Sequence, residues 1–270
     1  MTARITAMVG LCLAGLWSNS ATAQVGVFEL PPDGTWVRFE GTYAQVETRP
    51  NAAQGNLEIP PWIEHVWIKS VGEETAEFKG EQVPCRWLEI KIERGRERDG
   101  KLDTGVTGTE IYKVLVPAAG VVNAPKDDDG VPVAYLPVVK GFRKVGQGEV
   151  RPLTQPALQL YPVGLLLGYY RNWEVADTGV DPEVGLGAVS ADQLNGKVTI
   201  ERPEGRTIQE STIWRSSEVP FGLARWKASI KREEKDARQP REEYKPASEI
   251  TVEVRAREKG DGAQSELTIP

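Results

Sequence analysis

Apolar and polar residues alternate with period two in nine segments of this 270-residue sequence. Successive side chains of a β-strand point to opposite faces, so each segment is predicted to be a strand. Helical segments do not alternate regularly with them, which favours antiparallel pairing. We therefore predict a mostly β protein: a single antiparallel β-rich domain, shaped as a curved half-barrel or a sandwich, with a minor helical element. The nine segments are 36–46, 62–71, 87–93, 110–116, 131–139, 197–201, 207–214, 223–231 and 249–257.

The first 23 residues have the pattern of a signal peptide. Arg4 supplies a positive charge, residues 5–17 form an apolar stretch too short to span a bilayer, and Ala21 and Ala23 fit a small-x-small cleavage site. We place cleavage after Ala23, which leaves residues 24–270 as the mature domain. The protein is therefore expected to be exported to the periplasm or the extracellular space, soluble after cleavage and without a transmembrane segment.

Composition argues against several classes of function. The formal net charge of -6 disfavours nucleic-acid binding, which needs a basic surface. The chain has one histidine, His65, and two cysteines, of which Cys85 remains after cleavage. These are too few for a zinc site of the usual kind, and no Gly-x-Ser-x-Gly motif accompanies His65. We expect no metal, no cofactor and no catalytic residue, and we interpret Cys85 as a buried apolar residue.

Carboxylate chemistry is the remaining catalytic option, because glycoside hydrolysis needs only two acids about 5 to 10 Å apart. Glu40, Glu64, Glu89 and Glu110 lie in predicted strands and could converge. Each of them alternates with apolar residues, as a solvent-facing side chain does. An enzyme is therefore less favoured than a binding protein.

The segment 153–173 breaks the period-two pattern and is rich in leucine and tyrosine. Pro162 could occupy the first turn of a helix within this segment, and Leu165, Leu166, Tyr169 and Tyr170 would then share one of its faces. Such a helix would either cover the sheet and complete the core, or act as a lid over an apolar pocket or insert into a lipid surface. These four residues are candidate contacts for an apolar ligand.

Six tryptophans lie within or beside the predicted strands. Large aromatic side chains on both faces of a sheet usually pack in the core. On an exposed face they would instead stack on sugar rings or line an apolar cavity. We include Trp67 among the candidate apolar ligand contacts. The six are Trp36, Trp62, Trp67, Trp87, Trp214 and Trp226.

Residues 214–227 read Trp-Arg-Ser-Ser-Glu-Val-Pro-Phe-Gly-Leu-Ala-Arg-Trp-Lys, a turn that leads into the final predicted hairpin. This segment resembles the C-terminal part of secreted bacterial β-rich proteins related to the half-barrel lipoprotein carriers of the LolA and LppX type. The resemblance implies a strongly curved antiparallel sheet whose concave face is closed by helices and holds acyl chains. It would make segment 153–173 one closing element, and it transfers no functional residue.

These features favour an exported, non-catalytic protein that binds an apolar or lipid-like ligand or has a structural role in the cell envelope. The first alternative is a carbohydrate-binding β-sandwich module, which requires coplanar exposed aromatic residues. The second is a carboxylate-dependent hydrolase. A lipid or another apolar molecule is the expected partner, and the sequence identifies no protein partner.

Overall fold

The computed structural model describes residues 27–48, 55–106, 108–120, 136–153, 157–158 and 171–269. It is mostly antiparallel β-sheet, which confirms the predicted fold class. The predicted signal peptide, 1–23, lies outside the described residues. The strands are β1 Trp36–Thr48, β2 Asn56–Phe78, β3 Glu81–Arg98, β4 Lys101–Asp103, β5 Thr109–Pro117, β6 Leu136–Pro137, β7 Lys140–Val145, β8 Arg151–Pro152, β9 Ala157–Leu158, β10 Arg171–Val180, β11 Ala191–Arg202, β12 Gly205–Arg215, β13 Leu223–Glu234 and β14 Lys245–Gly260.

Twelve strands form one sheet in the order β10-β11-β12-β13-β14-β1-β2-β3-β5-β7-β8, with β4 paired to β3 outside this order. Within the described ranges the edge strands β10 and β8 do not pair, so the sheet is open as well as curved. Strands β6 and β9 form a separate two-stranded sheet. Most connections join strands that are neighbours in space, which follows from the short turns between consecutive alternating segments.

One face of the main sheet, here called the apolar face, carries the hydrophobic core. Val37 in β1 pairs with Ile68 in β2, and Ile68 pairs with Ile90 in β3. Ile90 in turn pairs with Tyr112 in β5, and all four side chains are buried in one cluster. The alternating residues that predicted the strands therefore form one continuous apolar layer across the sheet.

The opposite face, here called the charged face, is crossed by the end of the chain. Lys69 in β2 pairs with Glu89 in β3, and Glu89 pairs with Lys113 in β5. The C-terminal tail, residues 261–269, lies over this row, and its Leu267 is buried. The tail thus covers charged side chains that would otherwise face solvent.

The segment that carries the family resemblance forms a tight turn between β12 and β13. Its Phe221 is fully buried and has φ of 68°, a backbone conformation that L-residues rarely adopt. The N–H of Phe28 donates a hydrogen bond to the carbonyl of Phe221 at 2.7 Å. This turn holds the N-terminal segment against the core, where Val27 is completely buried.

The helix predicted to begin at Pro162, within segment 153–173, lies outside the described residues. Ala157–Leu158 is a strand paired with β6, and the strand β10 begins at Arg171. The remaining positions, with Leu165, Leu166, Tyr169 and Tyr170 among them, lie outside the described residues. In the described part of the chain, none of the helical segments has the length and hydrophobicity needed to cross a membrane.

Candidate functional site

The apolar face carries a cavity of about 550 Å³, a size typical of small-molecule sites. Strands β1, β2, β3 and β5 and the β4–β5 loop form its walls. We call it the Glu64 cavity, after its most buried charged residue. It is lined by Tyr43, Gln45, Trp62, Glu64, Ile92, Arg94, Thr104, Gly105, Val106, Gly108 and Glu110.

Strand register brings the polar lining residues together. Glu64 in β2 lies directly opposite Arg94 in β3, and Glu110 in β5 lies opposite Ile92. Positions 92 and 94 share a face because side chains alternate along a strand. A register shift between Tyr43 and the next paired residue of β1 bends that strand beside the cavity, as β-bulges near functional sites often do.

The carboxyl group of Glu64 is buried against a guanidinium. Only 4% of its side chain is exposed, and Arg94 Nε donates a hydrogen bond to Oε1 at 2.8 Å. Burial raises the pKa of Glu64, and the attraction of Arg94 only partly offsets this rise. In the described part of the chain, no other hydrogen bond reaches this carboxyl group, so its Oε2 receives none.

Glu110 is the second carboxylate of the cavity. Its Oε2 accepts hydrogen bonds from the hydroxyl of Tyr112 at 2.6 Å and from Arg143 at 2.9 Å. Burial, together with the hydrogen bond to Glu110, raises the pKa of Tyr112 well above its usual range. Within the ranges that the structure describes, Oε1 of Glu110 accepts no hydrogen bond.

Two of the four strand glutamates proposed from the sequence therefore meet. Glu64 and Glu110 line one cavity, whereas Glu40 and Glu89 lie on the charged face. Glu40 forms ion pairs there with Arg38 at 2.7 Å and with Arg257 at 3.2 Å. Neither oxygen of Glu89 is open to solvent, because its side chain is completely buried.

Apolar and aromatic side chains form the rest of the cavity wall. Tyr43 and Ile92 are buried, while Trp62 is half-buried and has the guanidinium of Arg96 5.0 Å from its ring centre. Val106 is 83% exposed and lies at the rim.

Trp67 lies on the charged face rather than in the apolar core. Its ring has Lys91 at 5.1 Å and Arg38 at 5.9 Å from the ring centre, and His65 packs edge-on at 5.8 Å. A contact between Trp67 and an apolar ligand stays a prediction, as do those of the four residues outside the described ranges.

Trp214, like Trp67, has a cation near its ring: the guanidinium of Arg225 lies 4.6 Å from the ring centre. Ring faces occupied by cations do not offer the open stacking platform that a carbohydrate module needs.

His65 and Cys85 have structural environments. His65 Nε2 is 3.9 Å from Glu40, and burial lowers the pKa of its imidazole. Cys85 is buried, as predicted, and burial also raises the pKa of its thiol, which makes the reactive thiolate rarer. Among the described residues, no three histidine, cysteine, aspartate or glutamate side chains are grouped so as to hold a metal ion.

A larger hollow of about 780 Å³ lies over the charged face at β11 to β14. Hydroxyl, amide and charged side chains line it, including Asn195, Thr212 and Lys227. Its ion pair between Lys197 and Glu210 is more than half exposed on both sides. Solvated pairs of this kind are ordinary for an open sheet surface, so the Glu64 cavity is the better candidate site.

Sequence reasoning did not identify Arg94 as a site residue, although a signal was present. Arg94 continues the apolar face of Ile90 and Ile92, and Glu64 shares a face with Val66. A charge on the apolar side of two strands that pair with each other predicts a buried ion pair. The rim residue Val106, in contrast, lies in a loop, and no periodicity could have found it.

The arrangement combines a pocket-sized volume, an apolar wall and a buried ion pair with an unused acceptor. It suits reversible binding of a molecule that has an apolar part and a polar part. In comparisons with known proteins, no protein-family model matches this chain, and no curated protein matches its sequence.

Proposed function

We propose that this protein, after export, binds an amphipathic, lipid-like ligand in the Glu64 cavity without transforming it chemically. One observation carries the proposal: the apolar layer of the sheet opens into a pocket-sized cavity with a buried charged pair in its wall. Apolar contacts with Tyr43, Trp62 and Ile92 would hold the ligand chain. The open, curved sheet and the resemblance of residues 214–227 to half-barrel carriers support the same proposal.

The hydrophobic contribution is large enough for useful affinity. Burying about 300 Å² of ligand apolar surface would contribute about 7 kcal/mol at about 25 cal/mol per Å². Ordering the ligand and the exposed rim opposes this by several kcal/mol. Hydrogen bonds to the polar wall would then fix the orientation of the ligand more than they add to its affinity.

Intrinsic tryptophan fluorescence of the mature protein tests the proposal. The protein is titrated in parallel with two lipids, a long-chain amine and a monoacylglycerol, and with a soluble polysaccharide. We expect a saturable change with at least one of the two lipids and none with the polysaccharide. Trp62→Phe should remove most of the change, because Trp62 is the tryptophan that lines the cavity. Trp214→Phe, on the opposite face, is the matched control. A flat response to both lipids would reject the proposal.

A second candidate, a carboxylate-dependent glycoside hydrolase, is favoured by one specific observation. Glu64 and Glu110 line the same cavity, and burial raises the pKa of Glu64, as the general acid of such an enzyme requires. The test is release of nitrophenolate from a panel of 4-nitrophenyl glycosides. Activity lost in both Glu64→Gln and Glu110→Gln but kept in Glu97→Gln, an exposed position on β3, would support the hydrolase. No turnover above the blank would reject it.

A further inference from the structure

Resting on the proposed function, we infer that the Glu64 cavity selects ligands whose polar head group donates hydrogen bonds and carries no negative charge. Alcohols and amines have this chemistry, whereas free fatty-acid anions and phosphates do not. The inference concerns the polar end of the ligand and is independent of the length of its apolar chain.

The first argument is the balance of donors and acceptors in the cavity wall. Three of the lining donors are already used: Tyr43 donates to Gln45 at 3.0 Å, and Gln45 donates to Glu47 at 3.2 Å. The hydroxyl of Thr104 is within 3.4 Å of a backbone carbonyl. A ligand that only accepts hydrogen bonds would have to displace an existing acceptor at each of these three groups.

The acceptors in the wall are not saturated. The hydrogen bond from Arg94 Nε goes to Oε1 of Glu64, and both donors to Glu110 bind its Oε2. In the described ranges, each of the two carboxylates thus keeps one oxygen without a hydrogen bond. A head group that donates hydrogen bonds would satisfy these oxygens, and buried polar atoms strongly favour such pairing.

The second argument is charge. The lining contains two carboxylates, and each is paired with a guanidinium: Glu64 with Arg94 at 2.8 Å and Glu110 with Arg143 at 2.9 Å. The charges of the two pairs cancel, but each carboxylate has an oxygen that accepts no hydrogen bond from the described residues. An anionic head group placed next to these oxygens would be repelled by them, whereas a hydroxyl or an ammonium can donate to them.

The test compares three probes with the same ten-carbon chain: decylammonium, monodecanoylglycerol and decanoate. Each is titrated into the mature protein at neutral pH, below its micelle concentration, with tryptophan fluorescence and calorimetry as readouts. We expect the ammonium and glycerol probes to bind at least about ten-fold more tightly than decanoate. Tight binding by both would identify hydrogen-bond donation as the determinant, and tight binding by the ammonium alone would identify positive charge.

Glu64→Gln removes the charge and keeps the shape, so it should reduce the preference for decylammonium over decanoate to less than about three-fold. Glu97→Gln is the matched control and should keep the preference of the unaltered chain. If Glu64→Gln does not fold, the relative affinities of the three probes for the unaltered protein test the head-group preference without it. Decanoate binding as tightly as the other two would overturn this inference and leave the proposed function standing. Binding by none of the three would remove the proposed function itself.

Discussion

Two buried glutamates on opposite faces of the sheet, Glu64 and Glu89, have different degrees of hydrogen bonding. Both lie in central strands, and each is within hydrogen-bond distance of a cation, Arg94 at 2.8 Å and Lys69 at 3.1 Å. Neither is more than 4% exposed at the side chain. The difference lies in how many donors reach each carboxylate.

The C-terminal tail supplies most of the hydrogen-bond donors to the carboxylate of Glu89. The hydroxyl of Ser265 and the backbone N–H groups of Glu266 and Leu267 donate to its oxygens at 2.7 to 3.1 Å. Together with Lys69, these donors replace the water that the carboxylate loses on burial. A carboxylate held in this way has no capacity left for a ligand, so we assign Glu89 a structural role.

Glu64 has one donor and a cavity beside it. Its Oε2 accepts no hydrogen bond from the described residues, and a ligand in the cavity that donates hydrogen bonds could pair with it. Burial alone therefore does not distinguish structural from functional glutamates in this protein. The number of donors that reach each oxygen does.

The largest expected effect is that of Glu89→Gln. An amide places an N–H group opposite the tail donors and leaves Lys69 without the negative charge of Glu89, so we expect the free energy of unfolding to fall by about 3 kcal/mol. Glu64→Gln, on the other face, should change it by less than about 1 kcal/mol, because Arg94 is partly hydrated. Urea unfolding followed by circular dichroism measures both. Equal effects of the two substitutions would contradict the contrast drawn between the two carboxylates.

The structural role of Glu89 could not be predicted from its strand. In segment 87–93 it alternates with apolar residues, which predicts a solvent-facing side chain. Its burial comes from the tail, about 175 residues further along the chain, and no local pattern encodes that contact. The period-two pattern predicted the strands and the apolar face because both depend on neighbouring residues.

The candidate site was predictable in part for the same reason. The alternation predicted that Glu64 and Glu110 lie in strands. Their presence in one cavity depends on the pairing of β2, β3 and β5, and a single sequence does not reveal that pairing. The strand at Ala157–Leu158 shows the opposite limit. Segment 153–173 breaks the period-two pattern and gave no strand signal there, whereas pairing with β6 forms a strand.

Leu267→Ala tests whether the tail is a packed part of the charged face. The Leu267 side chain is 1% exposed, and its removal should lower the free energy of unfolding by about 2 kcal/mol. Thr268→Ala, at the exposed neighbouring position, is the matched control and should stay within about 0.5 kcal/mol. Chemical denaturation compares the two variants. A tail that only rests on the surface would give the same small change in both.

The smallest expected effect is the pH dependence of the free energy of unfolding, whose sign should differ between Glu64 and Glu266. Because burial raises the pKa of Glu64 in the folded protein, its contribution to stability is lost as pH rises through the unfolded pKa towards the folded one. Removing that group by Glu64→Gln should therefore make the variant increasingly stable relative to the unaltered chain as pH rises above about 4, the ordinary pKa of a glutamate.

Glu266, in the tail beside Glu89, should show the opposite sign. Burial raises its pKa, but hydrogen bonds from Lys69 and Lys91 outweigh burial and lower the pKa overall. Its contribution is present above the unfolded pKa and is lost as pH falls through the folded one, so the cost of Glu266→Gln should shrink towards low pH. Thermal unfolding of both variants as a function of pH measures the two slopes. Slopes of the same sign would mean that the Glu64 carboxyl is solvated or fully paired in solution, and the argument for a ligand at its free oxygen would then fail.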